Sequence, residues 1–225
     1  MSLWATASRP SWYDGFAKPD VVAPGHGLFA VSASGSTLAA TSTLSASGAA
    51  AKLYGTSMAA ATTSGVVALL VEANRAAFPD AAHALSPHSV KAVLQYTSID
   101  VHDPAGDAYD TLTAGAGGLN ALGALTLARH LDPDAALGAW RLTSPVGEET
   151  TLAGVALPWT RRVVWGQSVL YGDAVYSNAP AWQTAIVWGE TLIWGETFVW
   201  GDAYIWGELF IWGDSAACTP AGCTP

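Results

Sequence analysis

From Ile186 the chain repeats every six residues, as IVWGET, LIWGET, FVWGDA, YIWGEL and FIWGDS, and this run restricts its own fold more than any other stretch. Each copy sets three apolar β-formers ahead of a Gly and, next to it, an acidic residue. Five successive copies are the mark of a repeat architecture. An even period suits strands, whose side chains alternate faces every second residue. Two β arrangements satisfy the pattern. In a meander, four-residue strands such as Thr191–Trp194 are joined by Gly-Glu or Gly-Asp turns, and Gly in the first central position is what a two-residue type II′ hairpin requires. That pairing sends Trp194 to one face, Trp200 to the other and Trp206 back to the first. In a hexapeptide solenoid every Trp shares one face and every Gly the other. Trp is bulky for a narrow solenoid interior, which favours the meander. Two earlier relatives, VVWGQS and VLYGDA, occupy residues 163–174.

The rest of the chain has a different texture. Residues 1–140 alternate short apolar runs, Gly/Pro turns and three helical segments, an α/β pattern. A linker is expected over 141–160, which holds Pro145, Gly147, Gly154 and the pair Glu148–Glu149. The Trp-Gly β region then runs over 161–215, with a tail at 216–225. Of 225 residues, 51% are apolar and 12% charged, a balance that excludes wholesale disorder. Nine Lys and Arg against 18 Asp and Glu give a net charge of -9, which argues against nucleic acid as a partner. The longest uninterrupted apolar run, Gly65 to Val71, falls short of the roughly 20 residues a membrane span needs, so no span is expected. The N-terminal stretch lacks the continuous apolar region of a signal peptide. Cys218 and Cys223 leave two readings open: a small disulfide loop, which suits an oxidising compartment, or a pair of reduced thiols. A metal site needs more ligands than this tail offers.

Within the α/β region, Pro19 to Gly25 reads as a strand ending in a Pro-Gly turn, and Leu28 to Ser32 as a second strand. Residues 33–51, almost wholly Ser, Ala, Gly, Thr and Leu, read as a surface loop. From Tyr54 the chain enters a segment without a charge until Glu72, and a helix apolar all round is expected to be buried. A second helix opens at Ser86-Pro87-His88, with Ser at the N-cap and Pro at the first helical position; Val90, Val93 and Leu94 share a face. A third spans Gly118 to His130, with Leu119, Leu122, Leu125 and Leu127 as its apolar contributors. The sharpest local signal is Gly55-Thr56-Ser57-Met58-Ala59. Gly before Ser lets backbone approach a ligand closely, and the Ser57 N–H at a helix start is a donor without an intrahelical acceptor. Those are the requirements of a nucleophile whose attack generates an oxyanion. From spacing alone, Thr56 and Ser57 capping a core helix is the commoner outcome. Met58 and Ala59 are expected in the core. Asp100, Asp103, Asp107 and Asp110 lack the spacing of a calcium loop and read as a solvated turn.

The stretch Gly55 to Gly65, GTSMAAATTSG, resembles the nucleophile motif of the subtilisin-like serine peptidases. Lys18 to Gly25, KPDVVAPG, is similar to the strand-turn segment that precedes that motif, and Ser8-Arg9-Pro10-Ser11 resembles an SSRGP-type segment further upstream. SPHSVKAVLQYTS resembles the family's next helix, and AGAGGLNALGAL its closing segment. The order is correct across about residues 6 to 130. The resemblance implies a parallel-sheet α/β fold, of which this chain holds the C-terminal part, with Ser57 as nucleophile and Gly55, Thr56 and Ser57 as the oxyanion backbone. Ala61 stands where the family usually has Pro, a change tolerated in a first helical turn.

The family's chain order is Asp, His, Ser, and its Asp, His and oxyanion Asn motifs all precede the KPDVVAPG segment. The expectation is therefore a serine endopeptidase acting through an acyl-enzyme on peptide or protein substrates, catalytically incomplete as this chain. His26 reads as a surface-loop imidazole, and His83, His88, His102 and His130 show no triad spacing with an Asp. No cofactor and no metal are expected. An alternative from another class is a non-catalytic surface or carbohydrate-binding protein that uses the Trp repeat and keeps a peptidase remnant as scaffold. Tandem W-G-acid tails are similar to those of some secreted bacterial subtilisin-like peptidases, which implies an extracellular location. An exposed Trp row also invites self-association or polysaccharide contact.

Overall fold

In the computed structural model of the chain, residues 4–5, 18–33, 35–45, 48–136, 138–165, 168–176, 218–219 and 222–223 are described. The hexads from Ile186 to Ser215 and the Ser8–Ser11 segment lie outside the described residues. The chain divides into two compact units, one of residues 1–84, 90–134 and 141–176, the other of residues 85–89, 135–140 and 177–225.

In the first unit, strands β1 (Trp4–Ala5) and β2 (Ala23–Pro24) pair antiparallel. Strand β3 (His26–Val31), helix α1 (Thr37–Thr41), strand β4 (Thr43–Leu44) and strand β5 (Ala50–Tyr54) follow, and the strands form an antiparallel sheet in the order β3-β5-β4. The surface loop expected over 33–51 thus contains a helical turn and a strand. Its serines explain the difference, because they supply local caps. Ser36 Oγ accepts from the Ala39 N–H at 3.1 Å, and Ser45 Oγ accepts from the Ala50 N–H at 3.2 Å.

Helix α2 (Thr56–Ala77) begins at the Gly55-Thr56-Ser57 stretch. It is not buried all round, as uniform apolarity had suggested. Ala59, Val66, Leu70, Ala73 and Asn74 form one buried stripe, while Leu69 is 51% exposed. The remaining faces are mostly Ala, Ser, Thr and Gly, small residues that tolerate water without signalling a polar side. Its length and composition also make it the one helix among the described residues long and apolar enough to cross a membrane. Counting only uninterrupted apolar runs missed this, since interspersed Thr and Ser do not disqualify a helix. The C-terminal half is tied down as a core helix would be. Asn74 Nδ2, buried, donates to the carbonyls of Ala128 and Leu131, both at 2.8 Å.

Helix α3 (Pro87–Tyr96) starts as its sequence predicts, with the Ser89 N–H donating to Ser86 Oγ at 3.1 Å and Val90, Val93 and Leu94 buried. Helix α4 (Thr111–Ala114) is capped by Asp110, whose Oδ1 accepts from the N–H groups of Leu112 and Thr113. Helix α5 (Ala121–Ala128) is capped by Asn120 and is shorter than the expected 118–130. Leu127 is fully buried there, but Leu122 is 51% exposed and is not a core contributor.

The class is α/β, built from helices and small antiparallel sheets. Parallel pairing among the described residues is confined to one bridge, Val22 to Gly118. Parallel neighbours need a long crossover between them, and here α2 and α3 lie on the chain between those two residues. Glycine is obligatory at this junction. Gly115 and Gly117 adopt φ of 63° and 133°, and a Cβ on either would sit 2.3 Å from the Pro19 carbonyl oxygen or 2.4 Å from that of Ile99.

The stretch expected to be a linker, 141–160, is built into the first unit. It holds the hairpin β6 (Glu149–Leu152) and β7 (Val155–Pro158), followed by Trp159, only 4% exposed. The Trp159 indole N–H donates to Thr150 Oγ1 at 2.9 Å, and Asn120 Nδ2 donates to the same oxygen at 2.8 Å. The slot exists because residue 123 is Gly, where a Cβ would fall 2.9 Å from the indole nitrogen. Strands β8 (Arg162–Trp165) and β9 (Ser168–Tyr171) form a second hairpin with Trp165 opposite Ser168, so two residues join them. Val163 and Val164, on opposite faces of β8, are both buried. In the second unit, the Ala139 N–H donates to the Ala136 carbonyl at 2.9 Å. A short hairpin, β10 (Cys218–Thr219) with β11 (Gly222–Cys223), pairs Cys218 with Cys223.

Candidate active site

Gly55 is the N-cap of α2, with φ 134° and ψ 170°, and its N–H donates to the Gly25 carbonyl at 2.8 Å. That bond joins the KPDVVAPG segment to the GTSMAAATTSG stretch, and Thr62, one turn on, donates to the Met58 carbonyl at 3.0 Å. The first helical bond runs from the Met58 N–H to the Gly55 carbonyl at 3.0 Å. The N–H groups of Thr56 and Ser57 therefore precede the ladder, and neither finds an acceptor among the described residues. Thr56 and Ser57 do not cap the helix, since no side chain bonds its N-terminus. The Ser57 hydroxyl is exposed and likewise unbonded among the described residues. Open donors beside an exposed hydroxyl at the positive end of a helix form an electrophilic corner that favours a developing oxyanion. Ala59 is buried as expected and Met58 half-buried.

All five histidines of the chain fall within the described residues. His26 is not in a loop. It opens β3 opposite Tyr54, edge-on to that ring at 4.8 Å, because the β3–β5 pairing extends to the residue before Gly55. It makes no hydrogen bond to Ser57. His130 Nδ1 lies 2.9 Å from the Thr126 carbonyl, and His102 is in a bridge with Ala108. His83 does have an Asp, which sequence spacing missed: its Nδ1 lies 2.7 Å from Asp134 Oδ1, and that carboxylate also accepts the N–H groups of Ala82 and His83. This pair cannot serve Ser57. It follows the end of α2, near the point where Asn74 holds Leu131, and about 25 Å of helix at 1.5 Å per residue separates Asn74 from Ser57. Among the described residues no group of His, Cys, Asp or Glu side chains is placed to hold a metal ion. In the Asp100–Asp110 turn, Asp103 Oδ1 accepts the N–H groups of Ala105 and Asp107, and Asp100 pairs with Arg162.

A sequence model of the subtilase family matches residues 4–124, more than half of the chain. The chain belongs to the subtilase family. By family it is a subtilisin-like serine peptidase, a hydrolase. A search among curated proteins returns no match to it. In this subtilase the matched stretch ends within α5, and its last motif receives the segment that follows. Ser98 Oγ donates to the Ala116 carbonyl at 2.8 Å and lies 3.1 Å from Thr160 Oγ1.

Two polar clusters support the body of the subtilase and were not legible as pairs in the sequence. Asp20 receives Lys18 Nζ at 2.7 Å, Lys91 Nζ at 2.9 Å and Gln95 Nε2 at 3.1 Å. Burial alone would raise its pKa, but the two ammonium groups outweigh that and hold it below the ordinary carboxylate value. Burial pulls Lys91 below the usual lysine range. Gln95, fully buried, accepts the Val164 N–H on its other end at 2.5 Å. Beside it, the Tyr96 hydroxyl donates to Glu148 at 2.6 Å and lies 3.0 Å from the Tyr176 hydroxyl. Arg161 bridges Glu148 and Asp173 at 2.6 and 2.8 Å. Burial and the bond to Glu148 push the Tyr96 phenol far above its ordinary pKa.

Proposed function

We propose that Ser57 is the acyl-forming nucleophile of a subtilisin-like endopeptidase and that its own N–H supplies part of the oxyanion hole. The observation that carries this reading is the exposed Ser57 hydroxyl beside two open N–H groups at the start of α2, with Gly55 leaving the approach clear. Ser57 Oγ would attack the scissile carbonyl, its proton passing to a general base, and the carbonyl oxygen would take negative charge facing the helix N-terminus. Collapse expels the amine and leaves an acyl-enzyme that water hydrolyses. No histidine of the chain is hydrogen-bonded to Ser57, and the reaction needs a general base within reach of its hydroxyl and an oxyanion donor beyond its own N–H. Triad members act as a unit, and the chain alone is expected to hydrolyse peptides far below a family-like rate. In this reading the protein works outside the cell on peptide or protein substrates.

The test is acylation by a fluorophosphonate, mapped by peptide mass analysis. The chain joined to a subtilase segment bearing the Asp and His motifs should be labelled at Ser57, and Ser57→Ala should abolish labelling. Burst labelling of the chain alone at Ser57 refutes its incompleteness, and labelling at another serine refutes the assignment.

For the hexads, β8 and β9 favour the meander. VVWGQS and VLYGDA form a hairpin of four-residue strands with two residues between, and each hexad has the same count, as in Thr191–Trp194 followed by Gly195–Glu196. Such a tail would present Trp and carboxylates on both faces and could hold polysaccharide or another copy of itself, which is the non-catalytic alternative. Retention of the chain on insoluble polysaccharide, lost on replacing Trp194, Trp200 and Trp206, supports that alternative; no retention counts against it.

A further inference from the structure

The hairpin at the end of the chain places two cysteines across from one another. β10 and β11 pair antiparallel with Cys218 opposite Cys223 and Thr219 opposite Gly222. Residues directly opposite in an antiparallel pair have Cα atoms roughly 4.5–5.5 Å apart. A disulfide needs about 4.4–6.8 Å between Cα atoms, so the backbone register already satisfies the cross-link. The sequence Cys-Thr-Pro-Ala-Gly-Cys adds turn-forming Pro and Gly between them. These are the only cysteines of the chain, so neither has an internal competitor.

We infer that Cys218 and Cys223 form a redox site, a dithiol that closes into a cross-strand disulfide by exchange with a small-molecule or protein disulfide. With glutathione disulfide as oxidant, one cysteine thiolate attacks a glutathione sulfur, forming a mixed disulfide and releasing one glutathione thiolate. The other cysteine, deprotonated, attacks the protein sulfur of that mixed disulfide and expels the second glutathione. Two protein thiols are oxidised, one glutathione disulfide is reduced to two thiols, and the two protons end on the glutathiones. Because the second step is intramolecular across a preformed pair, it outruns the attack of a second protein molecule. The site depends on neither Ser57 nor any peptidase activity.

The test is intact-mass and thiol-labelling analysis of the full chain, reduced and then exposed to glutathione disulfide. The expected product is a monomer lighter by two hydrogens, with no iodoacetamide-reactive thiol and one cross-linked peptide containing both cysteines. Cys218→Ser and Cys223→Ser should each instead retain one glutathione as a stable mixed disulfide. A wild-type chain that keeps two glutathiones, stays fully alkylatable, or goes to disulfide-linked dimers overturns the inference.

Discussion

The start of α2 and the end of α3 are both polar and both belong to the same unit, yet they are built in opposite ways. At the start of α2, Thr56 and Ser57 leave their N–H groups open and Ser57 keeps its hydroxyl exposed and unpartnered. At the end of α3, Gln95 spends its carbonyl on the Val164 N–H and its amide on Asp20, while the Tyr96 hydroxyl touches Glu148, Tyr176 and Arg161. Open polar groups at a surface cost little in stability and are available to a substrate. Satisfied polar groups in the interior hold segments distant in sequence together, and each becomes costly once its partner is removed. Reactive and structural polarity can thus be told apart by counting partners.

That contrast can be broken by substitution. Trp159→Ala empties the Gly123 slot and leaves Thr150 with one donor fewer; a loss of about 3–5 kcal/mol is expected, measured by urea denaturation. A loss below about 1 kcal/mol would mean that the 148–162 segment is not held as the structure places it. Gln95→Leu keeps the volume but strands the buried Val164 N–H and one contact of Asp20, for about 2 kcal/mol by the same measurement. Asp20→Asn should cost about 1 kcal/mol at neutral pH, since partial exposure screens the ion pairs. Because Asp20 titrates below its unfolded value, its contribution is present at neutral pH and disappears as pH falls through that lowered pKa. The wild type and Asp20→Asn should therefore converge in stability in acid, and parallel curves would remove Asp20 from the account. Smallest of all, Ser57→Ala should shift stability by less than about 0.5 kcal/mol, as a change at an exposed, unbonded site. A larger loss would place Ser57 on the structural side of the comparison.

What the sequence made legible is what lies close together along it. The Ser86 cap and the Asp103 turn use partners within about four residues, so their patterns can be read directly. Asp20 with Gln95, His83 with Asp134 and Asn120 with Thr150 join residues 75, 51 and 30 positions apart, and no period or spacing encodes such pairs. The face of α2 was misjudged for a related reason. Ala, Ser, Thr and Gly are nearly neutral to burial, so the side left uncovered has no polar signature. Residues 141–160 read as a linker from Pro and Gly content, while Trp159 carried the only local sign that the segment is anchored.

The slot around Trp159 has a practical consequence for anyone trimming the chain. Cutting at the end of the family match, or at residue 140, would strip away the partners that Tyr96, Ser98, Asn120 and Gln95 reach for, and would remove the buried Val163 and Val164. A shortened product would be expected to precipitate even though every recognisable peptidase motif was retained. The useful cut lies after Tyr176, where the first unit ends.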